Sequence, residues 1–525
     1  MTATADQTAG TGPDTGTPGR ATARSWAGLA VLTLPMLLIA IDSMVLVFAL
    51  PAITADLRPT GTEQLWTVDV YSLLIAGFLV TMSSLGYRYG RRRVLLVGAV
   101  LFTAASVLGA ASTAPWTLIA ARALLGVAGS MIMPGTLSLI RSMFLDRAQR
   151  RTAMAVWSAA GALGAAVGPM LGGALIEMFS WHAAFLMNIP VMVLLLVLAP
   201  VLVPESRNPH PGRVDPPSIL FSLLGMILVV YGVKTLAEGE HPGVAVLALA
   251  VGAALVALFV RRQLRLPVPV VDVRLFRVRA FTGAVVTDLL SVFALVGALF
   301  ALTQYLQLVL GLSVLVSAAW MLPQAVVSAG AGFLAAALVR RVPIPVVVAA
   351  GVLVTASGFA LMLGLTPDTP PWQVALALCL VGLGAGMGMT ITNDVIMSSV
   401  RPAQAGQAAA ISETAFELGT AFGTAVLGSV LLAFYRSGLA GAEPAGLPAG
   451  VPEQAGETLA AALQAAAELP QHLGARLAEA ATGAFTDALA TTGGIAAVML
   501  VGVAVFAGVM LRGVSARDTV GAPTD

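Results

Sequence analysis

The residues of this chain that could do chemistry are few. The densest group is Ser412-Glu413-Thr414-Ala415-Phe416-Glu417-Leu418-Gly419. It lies inside an apolar run from about 408 to 434, longer than the roughly 20 residues a helix needs to cross a bilayer. Glu413 and Glu417 are four apart, which puts both carboxylates on one helix face. Ionised carboxylates are costly in a membrane, and a neighbouring pair tends to take up a proton or a cation. The other charges inside apolar runs are Asp42, Asp69, Arg122, Asp288 and Asp394, and such groups read as proton or substrate sites. Asp69 and Asp394 also fit solvated positions near the two interfaces. Arg122 fits either a structural cation paired with a carboxylate or a direct substrate contact.

Other chemistries lack their residues. No G-x-x-x-x-G-K-[ST] run occurs, and the single lysine sits in Gly232-Val233-Lys234-Thr235, so no loop cradles a nucleotide phosphate. H-E-x-x-H and G-x-S-x-G are absent as well. The expectation is a protein that is not an enzyme, has no catalytic residues, carries no cofactor or metal and binds no nucleic acid. It would be powered by an ion gradient acting on its titratable groups, with protons, membrane lipid and a small-molecule substrate as partners.

What positions these charges is a membrane. Of 525 residues 58% are hydrophobic and only 10% charged, with a mean hydropathy of +0.91. A soluble domain carries about 25% charge, so the chain reads as an all-α polytopic membrane protein. The lone Cys379 excludes an internal disulfide. Apolar runs of spanning length recur at about 27–50, 62–83, 94–113, 116–138, 152–177, 183–203, 216–236, 243–260, 281–303, 314–339, 344–364, 372–398, 408–434 and 491–511, which makes fourteen. The first is too long for the core of a signal peptide and reads as a retained span. Residues 1–26, rich in Thr, Gly, Ala and Pro, read as a disordered tail, and 512–525 as a second tail.

Arginine placement tests the count. Arg88, Arg91, Arg92 and Arg93 fall between spans 2 and 3, and Arg141, Arg147, Arg150 and Arg151 between spans 4 and 5. Arg207 and Arg213 follow span 6, and a group from Arg261 to Arg279 follows span 8. Arg340 and Arg341 follow span 10, Arg401 span 12, and Arg512 and Arg517 span 14. Only Arg58, Lys234, Arg436 and Arg476 fall on the opposite side. Both termini are therefore expected in the cytoplasm. The one long external segment, 436–490, reads as two short amphipathic helices around 459–469 and 473–489, serving either as a plain surface hairpin or as a lid over the outer mouth.

Glycine supplies the second signal. Gly164, Gly168 and Gly172 in span 5 are four apart and form one smooth stripe, which lets two helices approach closely. Pro169 removes a helix hydrogen bond there. The run Gly382, Gly384, Gly386, Gly388 in span 12 has no strand-turn-helix context and is not a dinucleotide site.

These residues resemble a known family. Gly161, Gly164, Gly168-Pro169 and Gly172-Gly173 are similar to the span 5 signature of major facilitator exporters. Leu85-Gly86-Tyr87-Arg88-Tyr89-Gly90-Arg91-Arg92-Arg93 resembles their loop 2–3 motif, and Arg122-Ala-Leu-Leu-Gly126 their span 4 motif. Ile41-Asp42-Ser43 through Pro51 resembles span 1 of the fourteen-span drug:proton antiporters. Gln64-Leu65-Trp66-Thr67-Val68-Asp69-Val70-Tyr71-Ser72 and Ser412 to Gly419 resemble the QacA-like quaternary-ammonium exporters. The resemblance runs from about 26 to 512. The chain departs from it at Tyr87, where an aspartate is usual, at Leu125, where a glutamine is usual, and at Trp181-His182-Ala183, where W-R-W is usual. Span 10 has no acid, which leaves a cationic substrate to the other carboxylates.

The resemblance implies the major facilitator fold: a six-helix bundle over 27–203, two inserted spans over 216–260, and a second six-helix bundle over 281–511. Spans 1, 4, 9 and 12 would line one cavity and carry Asp42, Arg122, Asp288 and Asp394. Spans 2 and 13 would meet, bringing Asp69 towards Glu413 and Glu417. The implied activity is export of lipophilic, cationic drugs, dyes or antiseptics in exchange for protons, by a monomer in a bacterial cytoplasmic membrane. Asp42, Glu413 and Glu417 would carry the proton, and Gly86, Arg88, Gly90, Arg91 and Arg92 would act in the conformational switch. Export of an endogenous antibiotic, and uptake by symport, are the alternatives.

Overall fold

Prolines and small polar residues open the helices of this chain. Pro115, Pro242 and Pro371 occupy first turns, where a missing N–H costs nothing. Thr60 and Glu63 form a reciprocal capping box, and Asp146, Ser313 and Thr458 cap through their side chains. The structure, a computed structural model, describes residues 21–206, 215–238, 241–266, 269, 271–400, 404–442 and 444–514. Most of both expected tails, and Arg207, Arg213, Arg401 and Arg517, lie outside the described residues.

Regular structure among the described residues is helical. In order the helices are α1 (Ala23–Leu57), α2 (Gly61–Tyr89), α3 (Arg91–Ala110), α4 (Pro115–Met143), α5 (Arg147–Met178), α6 (Ala183–Leu186), α7 (Asn188–Leu202), α8 (Pro216–Glu238) and α9 (Pro242–Arg265). Then follow α10 (Arg279–Gln304), α11 (Val314–Leu338), α12 (Ile344–Leu361), α13 (Pro371–Ser398), α14 (Ala405–Phe422), α15 (Gly428–Ala442), α16 (Val451–Glu457), α17 (Leu459–Glu468) and α18 (Gln471–Met510). A π turn at Gly423–Leu427 joins α14 to α15. Among the described residues thirteen helical segments are long and apolar enough to cross a membrane. The 29-residue α2, which carries Glu63, Asp69 and Arg88, is not among them.

Two bundles result. Helices α1–α7 enclose one core, with Leu32, Leu46, Phe102, Leu125, Ile132 and Phe185 inside. Helices α10–α18 enclose a second, around Leu302, Tyr305, Phe359 and Tyr435 at one end and Phe281, Val348 and Ile391 at the other. Between them α8 and α9 form a tight hairpin, in which a β-carbon at Gly225 or Gly252 would collide with the facing helix. The hairpin straddles the seam. Val230, Met226 and Ile227 of α8 pack against Leu73 and Trp66 of α2, and against Ala421 and Ala425 on the opposite side.

One expectation fails in this region. The second short helix expected at 473–489 is the first half of α18, which runs unbroken for 40 residues. Pro470 starts it and no further proline interrupts it before Met510. Its buried Leu477, Ala481, Phe485 and Leu489 continue the apolar stripe of the span beyond, so nothing separates the two pieces.

Candidate functional site: buried charges on the seam between the bundles

Close helix packing brings the charges together. On α5 a β-carbon at Gly164 would stand 2.5 Å from the Leu37 carbonyl oxygen, one at Gly168 2.9 Å from Met44 Cβ, and one at Gly172 2.8 Å from Val45. The stripe therefore seats α5 directly on α1, on the stretch that carries Asp42. Gly161 meets Met36 in the same way, and Gly173 faces Leu315 of α11 across the seam. Pro169 lies inside α5. On α14 Gly419 approaches the Leu289 carbonyl of α10, which sets Glu413 within range of Asp288 and Glu417 within range of Glu413. The glycine run of α13 has the same packing role: Gly382 and Gly386 receive α11, Gly384 receives α12 and Gly388 faces Ser291 of α10.

Asp42 is buried and held from two sides. Arg122 Nη1 donates to one carboxylate oxygen at 2.7 Å and Asn188 Nδ2 to the other at 2.8 Å. Arg122 also donates to the Thr67 carbonyl at 3.3 Å, and its guanidinium lies 4.2 Å over the Tyr71 ring. The structure thus gives Arg122 a carboxylate partner. Tyr71 stands within electrostatic range of Asp42, Arg122 and Glu417. Glu417 is buried, with Ser72 of α2 against it, and Glu413 is half-buried within range of both Glu417 and Asp288. Thr392 of α13 donates to Asp288 at 3.0 Å. The result is a line of interacting groups across the seam: Asp42, Arg122, Tyr71, Glu417, Glu413, Asp288. Asp394 is exposed near the end of α13.

Asp69 departs from its expected position. Helices α2 and α14 do pack together, but the α2 residue that meets Glu417 is Ser72. Asp69 faces Lys234 of α8, with Nζ at 3.1 and 3.0 Å from its two oxygens. The same ammonium lies 3.8 Å over the Trp66 ring. Lys234 was expected outside the membrane; it is fully buried within α8. Counting it as a loop charge misses it, although 216–236 already contains it. Asn188 carried no sequence signal, because an uncharged polar residue in an apolar helix has no mark of its own, and Ser72 stood in the span 2 motif without a role assigned to it.

Contacts seal the seam at the end that carries Leu57 and Ser313. Gly61 N donates to Glu457 at 2.9 Å, Gln307 Nε2 to the Phe48 carbonyl at 3.4 Å, and Leu315 N to Glu177 at 2.8 Å. A small cavity of about 30 Å³, bordered by Gln64, Gln304, Tyr435 and Thr458, lies beneath. At the opposite end the loop 2–3 motif turns back on its own bundle. Gly90 takes φ 111°, open to glycine, and a β-carbon there would strike the Glu205 carboxylate. Arg92 N donates to Glu205 at 3.0 Å, and Arg91 donates to the Ser138 carbonyl and the Ser206 hydroxyl at 3.3 Å each. Gly86 sits against Arg91, and Arg88 is exposed. The side chain of Tyr87 lies outside the described residues.

Two helical bundles with a hairpin across their seam, and buried charges along it, have the architecture of a membrane transporter. The chain belongs to the Major Facilitator Superfamily, whose model matches residues 32–424. It is 45% identical over 499 residues to a multidrug efflux pump, LfrA, of Mycolicibacterium smegmatis, covering 95% of this chain and 99% of that one. It is 35% identical over 490 residues to the methyl viologen resistance protein SmvA of Salmonella typhimurium, covering 91% and 97%. Among solved structures, the fold is similar to a bacterial homolog of the human lysosomal transporter Spinster, inward-facing and unoccupied. There the TM-score is 0.67 at 16% identity, covering 96% of this chain and all of that one.

Proposed function

We propose that the protein is a fourteen-span, QacA-like antiporter that exports lipophilic organic cations across a bacterial cytoplasmic membrane in exchange for protons. The observation that carries this reading is the cluster of Asp288, Glu413 and Glu417 on the seam. Among the described residues no cation lies within ion-pair distance of any of them. Carboxylates so placed attract a cation or a proton, and competition for the same charge couples the two without direct contact between them. The relatives named for multidrug efflux and for resistance to methyl viologen, a dication, support the same substrate class. In this reading α2 is span 2 and brings the count to fourteen, the N-terminus is cytoplasmic, and the sealed end faces outward. A cation then reaches Glu413 from the cytoplasm past Asp394. Asp42, already neutralised by Arg122, shapes the wall of the site, while Glu413 and Glu417 exchange the proton.

The test is ethidium and methyl viologen export by proteoliposomes, with proton movement followed by an internal pH dye. Glu413→Gln and Glu417→Gln are expected to abolish drug/proton exchange. Exchange unchanged in both variants overturns the assignment, and export that persists when the proton gradient is collapsed overturns proton coupling.

A further inference from the structure

The Asp69–Lys234 pair has the composition of a cation-binding site. A carboxylate and an aromatic face converge on one ammonium, at 3.0 Å from the nearer oxygen and 3.8 Å from the Trp66 centroid. That is the chemistry which holds an alkylated ammonium ligand. Here the ligand is part of the chain. Both side chains have no solvent exposure, and Lys234 is the single lysine of the protein. Elsewhere the chain meets its cationic needs with arginine. Arginine's fork would require a broad planar partner, whereas a compact ammonium fits one carboxylate under one ring. Lys234 reaches the site from α8, whose other buried neighbours lie on both bundles.

We propose that Trp66 and Asp69 form a monovalent alkylammonium site, distinct from the acids on α10 and α14, and that Lys234 is its tethered occupant. Lys234 closes this site to external cations and fastens the inserted hairpin to the N-terminal bundle. Against the C-terminal bundle α8 sets an apolar contact, with Ala421 and Ala425. The charge pair thus ties the hairpin to the N-terminal bundle. An uncompensated buried carboxylate is strongly unfavourable, so removing the ammonium leaves a vacancy that a free cation of the same size will fill. The inference does not depend on the direction of transport or on the coupling ion.

Chemical rescue tests it, read as thermal stability of the full-length protein in detergent. Lys234→Ala removes a propylammonium group. Propylammonium chloride is expected to raise the melting temperature of Lys234→Ala by a few degrees, with a saturating dose response as mass action requires. Wild type, whose site is filled, and Asp69→Asn/Lys234→Ala, whose anion is gone, are expected to show no such shift. 1-Propanol, the neutral counterpart, is expected to do nothing. A shift of equal size in all three proteins, or no shift in Lys234→Ala, overturns the proposal. If Lys234→Ala cannot be obtained folded, Asp69→Asn/Lys234→Met decides: neutralising both partners is expected to restore monodisperse protein. A double variant as poorly folded as the single one shows that charge pairing is not what Lys234 supplies, and overturns it.

Discussion

The two bundles treat their buried acids differently. In the N-terminal bundle Asp42 has Arg122 at 2.7 Å and Asp69 has Lys234 at 3.0 Å. In the C-terminal bundle Asp288 accepts from the Thr392 hydroxyl at 3.0 Å and Glu417 has Ser72 against it, and among the described residues neither has a cation at ion-pair distance. An acid with a resident cation is already satisfied, and its geometry is pinned by the pair. An acid with only hydroxyl neighbours remains available to a proton or an incoming cation. Under the proposed function the contrast assigns scaffolding to the first half and exchange to the second, and it explains how one fold carries Asp42, Asp69, Asp288, Glu413 and Glu417 in its helices without all of them being sites.

Breaking one of the paired groups is the strongest challenge to this contrast. Arg122→Ala leaves Asp42 as a buried charge held only by Asn188, and the expected loss is about 3–5 kcal/mol, visible as a large fall in melting temperature. Glu417→Gln on the other side removes a charge that has no cation, so it is expected to keep or raise the melting temperature while abolishing exchange. Equal destabilisation by the two variants would erase the distinction between the bundles.

A smaller effect concerns the packing that holds Asp42 in place. Gly164→Val drives a branched side chain into the Leu37 carbonyl, already 2.5 Å from the β-carbon position. Overpacking of this kind costs about 1–3 kcal/mol. Thermal denaturation is the measure, and Gly330→Val is the control, because a β-carbon there meets nothing within 4 Å.

The smallest effect lies outside the site, where Arg262 grips Asp215 at the base of the hairpin with bonds of 2.8 and 2.9 Å. Those bonds hold the Asp215 carboxyl below its usual range. A folded-state value lowered in this way adds stability above the ordinary aspartate value of about 3.9 and loses it as pH falls through the folded value. Arg262→Ala is therefore expected to lower the melting temperature only slightly at pH 7, because the pair is partly open to solvent. The difference from wild type should shrink as pH falls below the ordinary aspartate value of about 3.9 and vanish below the lowered folded value, where the carboxyl of both proteins is protonated. A cost that persists there would place the role of Arg262 in packing instead of charge.

Much of this architecture was legible in the residues. Apolar runs announce helices, because each carries its own backbone hydrogen bonds and needs only length and hydropathy to span. The i, i+4 stripe of Gly164, Gly168 and Gly172 announced a close helix contact, though not that α1 would be the partner. The acids announced themselves by their rarity in apolar surroundings. Lys234 was misplaced because it lies four residues from the end of α8, where a sequence offers no distinction between a loop charge and a buried one.

By itself, then, the sequence determined that the chain is a helical membrane protein and which few residues are charged inside it, because both follow from local composition and spacing; the major facilitator type came from the resemblance of its motifs. Only the tertiary structure decided which charges meet: Asp42 with Arg122 and Asn188, Asp69 with Lys234, Glu417 with Ser72, and Glu413 with Asp288. Pairing depends on the rotation and register of helices that are far apart in the chain, and those are set by glycine contacts and seam packing that no single segment contains.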